Sequence, residues 1–376
     1  MEQQQPNNPT HGNHSNSEAL QQRSAPTGEA TPTRAAHSNK KILVTGGAGY
    51  IGGHTIADLL ENGFDVVCID DLSRGNQRML DGLEKLTGHK IKNYRVDLTN
   101  LEETEAVFAE HNDLAGIIHF AAFKSVPESV AEPLAYYHNN INSLLNILQC
   151  AQDYEVPHVV FSSSCSVYGN ATALPVDETA PLQTPESPYA ATKQMGETIC
   201  HHFAQANDGF NIALLRYFNP VGAHPSILIG ELQEAPENLV PVITQTAIGK
   251  RESMSVFGTD YDTRDGSCIR DYVHVMDIAH AHTLALQYLL DDRNKESCEV
   301  FNLGTGNGVS VLELIDSFEK ISGKKLNYQK TDRRPGDVIA IYANNDRARK
   351  CFGWEPKYGL DEMMTTAWKW QEALGR

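Results

Sequence analysis

The sequence predicts an α/β protein, built as a doubly wound parallel sheet with a smaller, mixed C-terminal lobe. Two observations carry this prediction. From Lys40 to about residue 218, short apolar runs alternate with stretches of helical length and spacing. A glycine-rich segment at 46–52 joins the first apolar run to the first helical stretch. Strands that alternate with helices are typical of right-handed βαβ units, in which helices cover both faces of a parallel sheet.

The predicted elements follow one another along the first part of the chain. The strands are placed at 41–47, 64–70, 91–97, 117–122, 158–164 and 211–218, and the helices at 50–62, 101–111, 134–154 and 188–206. After residue 219 Pro and Gly become frequent and the apolar runs shorten, with helices near 277–290, 310–321 and 361–374. This less regular pattern predicts a smaller lobe, part of whose chain crosses back to the sheet.

Residues 1–39 differ from the rest of the chain. They are rich in Gln, Asn, Ser, Thr and Pro and nearly devoid of large apolar side chains. Such a segment cannot bury enough surface to offset the entropy lost on ordering, so we predict a disordered tail. The predicted organisation is therefore a tail at 1–39, a sheet domain at 40–219 and a smaller lobe at 220–376.

Charge and cysteine usage exclude several classes of protein. The 31 basic and 48 acidic residues give a formal net charge of −17, which disfavours a nucleic-acid-binding face and docking on anionic lipid. No run of 18 apolar residues is present, so the sequence predicts no membrane-spanning helix. The seven Cys form no CxxC pair and their number is odd, which favours a reducing cytoplasm over a disulfide framework or a zinc site. We also expect no metal, because no other group of residues has metal-ligand spacing.

A dinucleotide site is indicated by the segment that joins the first strand to the first helix. Gly46, Gly49 and Gly52 are spaced as GxxGxxG, which allows a tight turn and a close approach of the backbone to a pyrophosphate. The start of the following helix supplies free N–H groups for the phosphates. Asp70 ends the second predicted strand and can accept hydrogen bonds from a ribose, while Asp71 adds a charge that repels a 2′-phosphate. The sequence therefore predicts a Rossmann-type fold that binds NAD rather than NADP.

A second group of residues carries the chemistry. Ser164 ends the fifth predicted strand, where the carboxyl ends of parallel strands border a ligand crevice. Tyr189 and Lys193 follow Pro188 and lie four residues apart, so they share one helix face. A Lys cation near a phenol favours the phenolate and lowers its pKa from the ordinary value of about 10. We therefore expect Tyr189 as the base, Lys193 as its electrostatic partner and Ser164 as a hydroxyl that shares the substrate proton.

Longer motifs show a resemblance to a known family. TGGAGYIG and SPYAATK resemble the extended short-chain dehydrogenase/reductase superfamily. Within it, the chain resembles the UDP-glucose 4-epimerase (UDP-galactose 4-epimerase) family over about residues 41–374, through IIHFAAFKSVPES, FSSSCSVYGN, LLRYFNPVGAHPS, ENLVP, SVFGTDYDT, IRDYVHVMD, FNLGTG and RRPGD in that order. The resemblance implies an NAD-dependent isomerase of UDP-hexoses, with an NAD-binding domain at 40–219 and a UDP-sugar lobe at 220–376.

The resemblance also implies a reaction without net oxidation. NAD takes a hydride from sugar carbon 4 to give a 4-keto intermediate, the sugar turns in its pocket, and the hydride returns to the opposite face. In this scheme Tyr189 accepts the proton of the 4-hydroxyl, Lys193 supports it and Ser164 assists. Related enzymes are commonly homodimers, so a homodimer is implied as well.

The family's binding residues carry over position by position. Those implied for NAD are Gly46, Gly49, Tyr50, Ile51, Gly52, Asp70, Asp97, Leu98, Phe120, Ala121, Ala122, Lys124, Asn140, Ser164, Tyr189, Lys193 and Phe218. Those implied for the UDP-sugar are Lys124, Ser164, Tyr189, Asn219, Asn238, Leu239, Phe257, Arg270, Arg334 and Asp337. Their chemistry fits, since two Arg suit a diphosphate, Phe257 can pack on uracil and Asp337 can accept from ribose hydroxyls.

Three departures from the family pattern leave the sugar open. The 226–237 segment is more apolar and more acidic than is usual and places Glu237 where the family often has Asn. Residues 263–268 replace a loop that is usually more acidic and richer in Gly. Ile341 stands at the sugar-pocket gate, where a bulky Tyr excludes 2-acetamido sugars and a small residue admits them. UDP-N-acetylglucosamine and UDP-pentose 4-epimerases therefore remain alternatives.

Two further activities are disfavoured by the residues present. A nucleotide-sugar 4,6-dehydratase needs an acid beside the sugar, and such relatives carry Asp-Glu after the strand-end hydroxyl, where this chain has Cys165 and Ser166. A catalytically silent NAD-binding regulator would not need Tyr189 and Lys193 in register.

Overall fold

Seven parallel strands form the central layer of the protein. The computed structural model describes residues 37–171, 173–233, 236–334 and 337–375. Along the chain the strands are β1 (Lys41–Thr45), β2 (Asp65–Ile69), β3 (Lys92–Tyr94), β4 (Leu114–His119), β5 (His158–Ser164), β6 (Asn211–Tyr217), β7 (Asn219–Val221), β8 (Met254–Phe257), β9 (Ile269–His274), β10 (Cys298–Leu303), β11 (Gly308–Ser310) and β12 (Tyr328–Thr331). The central sheet has the order β10-β6-β5-β4-β1-β2-β3, and all of its pairings are parallel.

Helices cover both faces of this sheet. They are α1 (Tyr50–Glu61), α2 (Gln77–Thr87), α3 (Leu101–Glu110), α4 (Val126–Ala131), α5 (Pro133–Asp153), α6 (Pro188–Ala206), α7 (Leu239–Ala247), α8 (Val275–Leu290), α9 (Val311–Ser322), α10 (Asp346–Phe352) and α11 (Leu360–Leu374), with a short 3-10 helix at Cys165–Tyr168. Successive residues of β1 point to opposite faces. Ile42 and Val44 pack with α1 and α8, whereas Leu43 packs with α3, α5 and α6. The doubly wound α/β prediction is confirmed.

The smaller lobe has a core of its own. Strands β11, β9 and β7 form a three-stranded sheet, and β12 pairs in parallel with β8. Val240 and Ile243 of α7 pack there with Phe318 of α9 and Trp368 of α11. Two elements that come after residue 220 belong instead to the first layer, because β10 pairs with β6 and α8 packs on α1.

The described structure begins slightly before the predicted end of the tail. Residues 1–36 of the predicted tail lie outside the described residues, but residues 37–39 form a turn. His37 is 6% exposed, stacks on Phe64 with ring centres 6.0 Å apart, and places its Nε2 3.0 Å from Asp291.

Three further observations concern the cysteines, the metal-ligating residues and the helices of the described part of the chain. Every Cys is present as a free thiol. Within the described ranges, no group of three or more His, Cys, Asp or Glu is arranged to hold a metal ion. None of the helices described is both long and apolar enough to cross a membrane.

Candidate active site

A cleft opens at the carboxyl ends of the central strands. The strand order reverses between β1 and β4, and open parallel sheets bind ligands at such a reversal. The cleft has a volume of about 1190 Å³ and runs from the glycine turn after β1 to the smaller lobe. It is therefore large enough to take two extended ligands end to end.

The glycine turn leaves no room for side chains. Gly46 has φ of 69°, and a Cβ there would lie 2.9 Å from the backbone nitrogen of Ala121. A Cβ on Gly52 would lie 2.3 Å from the carbonyl oxygen of Gly46. No described side chain caps the start of α1 at Gly49, so the N–H groups of its first turn stay available. A tight, uncapped helix start of this kind suits a pyrophosphate.

Asp70 fixes this turn from the end of β2. Its Oδ2 accepts the backbone N–H of Ala48 and its Oδ1 that of Leu72, both over 2.9 Å. Burial raises the pKa of this carboxyl, and the two backbone bonds work against that rise. Each oxygen keeps a further lone pair, and Asp70 lines the cleft, so the carboxylate can still accept ribose hydroxyls.

Ser164, Tyr189 and Lys193 all line the wall of the cleft. Ser164 ends β5, and Ser187 starts α6 by accepting the N–H of Ala190 over 3.2 Å. Tyr189 and Lys193 then lie one turn apart on α6. Lys193 Nζ donates to the carbonyl oxygen of Ser162 over 2.7 Å and lies 5.9 Å from the centre of the Tyr189 ring.

The electrostatics of this group differ from the sequence expectation. We expected Lys193 to lower the pKa of Tyr189, but burial raises it to about 12, and only a hydrogen bond with Ser164 opposes the rise. Burial also lowers the pKa of Lys193 to about 8, so this lysine is still mostly cationic at neutral pH. The reason is distance, because the ammonium group is held at Ser162 rather than at the phenol oxygen.

Most of the other implied NAD residues border the same cleft. The lining includes Asp97, Leu98, Phe120, Ala121, Ala122, Lys124 and Phe218 as well as Tyr50 and Ile51. Asn140 is an exception, since it is buried behind the wall. Its side chain accepts the N–H of Phe123 over 2.8 Å and donates to Thr192 Oγ1 over 3.1 Å. Asn140 therefore holds the strand-end segment against α6 instead of facing the cleft.

The implied UDP-sugar residues lie at the far end. Asn219, Asn238, Arg270, Arg334 and Asp337 line the cleft, together with Ile341. Arg334 donates to Asp337 Oδ1 over 2.7 Å, and Arg270 lies 3.9 Å from the same oxygen.

Two of the implied substrate residues are set back from the wall. Leu239 starts α7 directly after Asn238. The Phe257 ring is 43% exposed, with the Arg334 guanidinium 5.4 Å from its centre.

Glu231 and Tyr217 are two of the cleft residues that the sequence analysis missed. Glu231 is largely buried, and its Oε1 lies 3.4 Å from Lys124 Nζ. Tyr217 lines the cleft beside Tyr189, and burial raises its pKa. The only sequence signals were the acidic character of the 226–237 segment and the position of Tyr217 at the carboxyl end of a predicted strand.

The parallel sheet, the glycine turn, and Tyr189 with Lys193 one turn apart define an extended short-chain dehydrogenase/reductase. A family model described as GDP-mannose 4,6 dehydratase matches residues 43–367. More narrowly, the chain belongs to the UDP-glucose 4-epimerase family. It is 46% identical over 333 residues to UDP-glucose 4-epimerase of Bacillus subtilis (strain 168), a match that covers 88% of this chain and 97% of that protein.

Solved structures agree with this assignment. UDP-glucose-4-epimerase from Stenotrophomonas maltophila, with bound NAD and formylated UDP-arabinopyranose, superposes with a TM-score of 0.86 at 42% identity, over 90% of this chain and 99% of that one. UDP-glucose 4-epimerase from Bifidobacterium longum, in complex with NAD+ and UDP, gives a TM-score of 0.85 at 41% identity, over 89% and 98%. The resemblance seen in the sequence is confirmed.

Proposed function

We propose that this chain interconverts UDP-galactose and UDP-glucose, with NAD as its resident cofactor. The observation that carries the proposal is the meeting of Ser164, Tyr189 and Lys193 in one cleft with the glycine turn at one end and Arg270 at the other. Such a cleft can hold a dinucleotide and a nucleotide sugar with the reacting sugar carbon between them.

The residues present fit NAD. The backbone around Gly46 and Gly52 forms a cradle that any Cβ would fill, and the open start of α1 faces it. Asp70 supplies acceptors for the adenosine ribose, and its charge together with Asp71 disfavours the 2′-phosphate of NADP. When bound, NAD supplies the hydride acceptor and donor for sugar carbon 4.

Three side chains of this protein handle the proton. Tyr189 takes the proton of the 4-hydroxyl as the carbonyl forms and gives it back when the alcohol is restored. Ser164 bonds to the Tyr189 side chain and lies beside the same oxygen, so it can fix the sugar hydroxyl. Lys193 keeps a positive charge within reach of the phenolate, which burial alone would make unfavourable.

The nucleotide anchor lies in the smaller lobe. Arg270 and Arg334 converge on Asp337 and present guanidinium groups that suit a diphosphate. If the sugar is held mainly through this anchor, it is free to turn between the two hydride transfers. We assign NAD binding to the 40–219 domain and UDP-sugar binding to the 220–376 lobe, with β10 and α8 contributed back to the first layer.

Ile341 makes the 2-substituent of the sugar the feature to compare among substrates. Ile341 is buried in the cleft wall, at the position where the family sets this preference. Its branched side chain is smaller than Tyr and larger than Ala or Gly, so UDP-N-acetyl-hexosamines are the first alternative substrates to compare. UDP-pentoses are the second, since the Stenotrophomonas enzyme was solved with a UDP-arabinopyranose derivative.

We also propose a homodimer in the cytoplasm. Large apolar side chains are exposed on helices that contact one another: Val130 of α4 is 62% exposed, Leu134 of α5 is 81% exposed and Met195 of α6 is 46% exposed. An exposed apolar surface of this kind marks a protein interface. The free cysteines support a reducing compartment.

The proposal is tested by comparing the wild type with Tyr189→Phe. Purified wild type is incubated with UDP-galactose, and products and bound NAD are measured separately. We expect UDP-glucose from the wild type, and from Tyr189→Phe an unchanged NAD content with a rate about 10²- to 10⁴-fold lower. Equal rates in the two proteins, or a 4-keto-6-deoxy product, would reject the proposal.

A further inference from the structure

Two charged side chains are buried directly behind the catalytic residues. The Glu197 side chain on α6 is 4% exposed and the Arg216 side chain on β6 is 5% exposed. Arg216 Nη2 donates to Glu197 Oε2 over 2.6 Å, and Arg216 Nε donates to Oε1 over 2.8 Å, so the pair is bidentate. The described wall of the cleft includes neither residue. Any role in the reaction must therefore be exerted through their neighbours.

The pair is the centre of a buried hydrogen-bond network. Ser163 Oγ donates to Glu197 Oε1 over 2.5 Å, and Arg216 Nη1 donates to the Tyr168 hydroxyl over 3.0 Å. Tyr168 in turn donates to Asn302 Oδ1 on β10 over 2.7 Å. A buried ion pair is retained at low cost only when further bonds of this kind satisfy both ions. The network ties α6, β5, β6, β10 and the short helix after Ser164 together.

Each catalytic side chain lies on the same helix or strand as a member of this network. Lys193 precedes Glu197 by one turn of α6, which is also the helix that carries Tyr189. Ser163 lies on β5 between Ser162 and Ser164. A shift of Ser163 would therefore move both the Ser162 carbonyl, which accepts from Lys193 over 2.7 Å, and the catalytic hydroxyl.

The charge of Glu197 also acts on Lys193. Burial lowers the pKa of Lys193 to about 8, and Cys200 and Glu197 oppose the fall. Cys200 is a neutral thiol at neutral pH, because burial raises its pKa, and His119 on β4 is neutral because burial lowers its pKa to about 3. Tyr189 is neutral before reaction, since its pKa is raised to about 12. Among these neighbours, Glu197 is thus the one that supplies a negative charge.

We propose that Glu197 and Arg216 form a positioning pair for the reaction: they hold Lys193 and the end of β5 in register, and Glu197 keeps Lys193 cationic. The inference rests on the proposed function for its link to turnover. Arg216 contributes by fixing where the carboxylate lies, through a bidentate geometry that Lys cannot reproduce.

The test compares Glu197→Gln with Glu299→Gln. Glu299 on β10 is an equally buried carboxylate that accepts from Tyr288 over 2.7 Å and from Arg347 over 3.1 Å, but it is not bonded to the catalytic elements. In Glu197→Gln we expect kcat to fall by about 10- to 100-fold, as for a misplaced catalytic group, with KM within about threefold. We also expect the high-pH limb of kcat to move to lower pH. In Glu299→Gln, kcat and the position of its high-pH limb should stay as in the wild type.

A second variant separates positioning from folding. Glu197→Gln/Arg216→Met removes both buried charges, which commonly restores stability. We expect its thermal midpoint to recover while kcat and the shifted pH limb do not. Wild-type kinetics in Glu197→Gln, recovery of kcat in the double variant, or the same loss in Glu299→Gln would overturn the proposal.

A readout without turnover keeps this inference separate from the proposed function. Lysine side-chain nitrogen NMR follows the titration of Lys193 directly, with the signal assigned by its loss in Lys193→Arg. A lower titration midpoint in Glu197→Gln supports the pairing even if the wild type converts no UDP-sugar. An unchanged midpoint overturns it.

Discussion

Lys193 Nζ donates to the carbonyl oxygen of Ser162 over 2.7 Å while it lies 5.9 Å from the centre of the Tyr189 ring. The lysine is thus anchored on strand β5 and not on the phenol oxygen. Burial keeps the pKa of Tyr189 near 12 and that of Lys193 near 8. At neutral pH Tyr189, the proposed base, is therefore protonated. Of the two side chains, Lys193 is the one whose charge changes as pH rises slightly above neutral.

The first prediction concerns pH. Because Lys193 must be protonated to stabilise the phenolate, kcat should fall as pH rises through about 8, the pKa to which burial lowers this lysine. The check is a kcat profile from pH 6 to pH 10 in a constant-ionic-strength buffer. Lys193→Met is the control: it should be much slower and should lack this limb. A flat profile in the wild type would contradict the prediction.

The second prediction concerns the glycine turn. A Cβ on Gly52 would lie 2.3 Å from the carbonyl oxygen of Gly46, so Gly52→Ala must deform the turn. We expect NAD affinity to fall by at least about tenfold, which corresponds to roughly 1.4 kcal/mol of lost binding. Gly359→Ala is the matched control, because the nearest atom to its Cβ is the flexible end of Glu362 at 3.6 Å. Calorimetric titration of NAD into each protein, after its retained NAD has been removed, gives the answer, and equal affinities would refute the account of the turn.

The third prediction concerns the sugar. Ile341 is buried in the cleft wall, so shortening it to Ala opens space beside the sugar. The ratio of kcat/KM for UDP-N-acetylgalactosamine over UDP-galactose should rise in Ile341→Ala and fall in Ile341→Tyr. A single methylene in such a pocket is worth about 1–3 kcal/mol and both substitutions are larger, so each ratio should move by at least about tenfold. Ratios that stay constant across both variants would remove Ile341 from the list of specificity determinants.

The fourth prediction concerns acid stability. Burial lowers the pKa of His54 and His119 to about 3 and that of His274 and His282 to about 4. Between those values and the ordinary value of about 6.5, the unfolded chain binds more protons than the folded one, so the free energy of unfolding falls as pH drops below about 6.5. Each of these four histidines should lower the free energy of unfolding by about 2 kcal/mol at pH 5. Urea unfolding at pH 7 and pH 5 measures the difference.

Two variants test whether the buried histidines cause this loss of stability at low pH. The His282 ring lies with its centre 4.5 Å from that of Phe120 and donates its Nδ1–H to the carbonyl oxygen of Ile278 over 2.8 Å, so His282→Phe should reduce the dependence on pH. His89 is exposed, and His89→Gln should leave it unchanged. The same slope in all three proteins would mean that these buried histidines do not control acid stability.

The fifth prediction concerns assembly. Leu134 is 81% exposed on α5, next to Val130 at 62% on α4. Leu134→Glu places a charge in this apolar surface and should raise the dimer dissociation constant by about 30-fold or more, since central apolar anchors cost about 2 kcal/mol or more when lost. Sedimentation of wild type and variant at micromolar concentration tests it. A wild type that sediments as a single 41.5 kDa chain would contradict the homodimer.

The layer architecture was predictable because strands and helices alternate with clear periods. Four helices were not predicted, and α2 shows why. Its signals were present, with Asn76 as a capping residue and Gly88 in a left-handed conformation at its end, but its mean hydropathy is low and the stretch lacks a long apolar run. Strand β3 is only three residues long, although 91–97 was predicted, since only Lys92–Tyr94 finds a partner in β2. Such ends are set by pairing, which local sequence does not encode.

The residues proposed as catalytic could be located from their spacing, but the side chains packed behind them could not. Ser164, Tyr189 and Lys193 sit on a strand end and a helix start that the sequence marks clearly. Asn140, which the resemblance assigns to the cofactor, is bonded to Phe123 in the structure, because a helix position alone does not tell on which side of a cleft wall a side chain lies. Glu197 is bonded to Arg216, nineteen residues away, and only the register of β5 against β6 brings this pair behind the site.

One measurement tests the central claim most directly. UDP-galactose carrying deuterium at sugar carbon 4 is incubated with the protein as purified, without added NAD. If NAD is retained and the hydride returns to the carbon it left, UDP-glucose should form to equilibrium with the deuterium still at carbon 4 and no NADH released. Loss of deuterium to water, or no UDP-glucose even after NAD is supplied, would contradict the account.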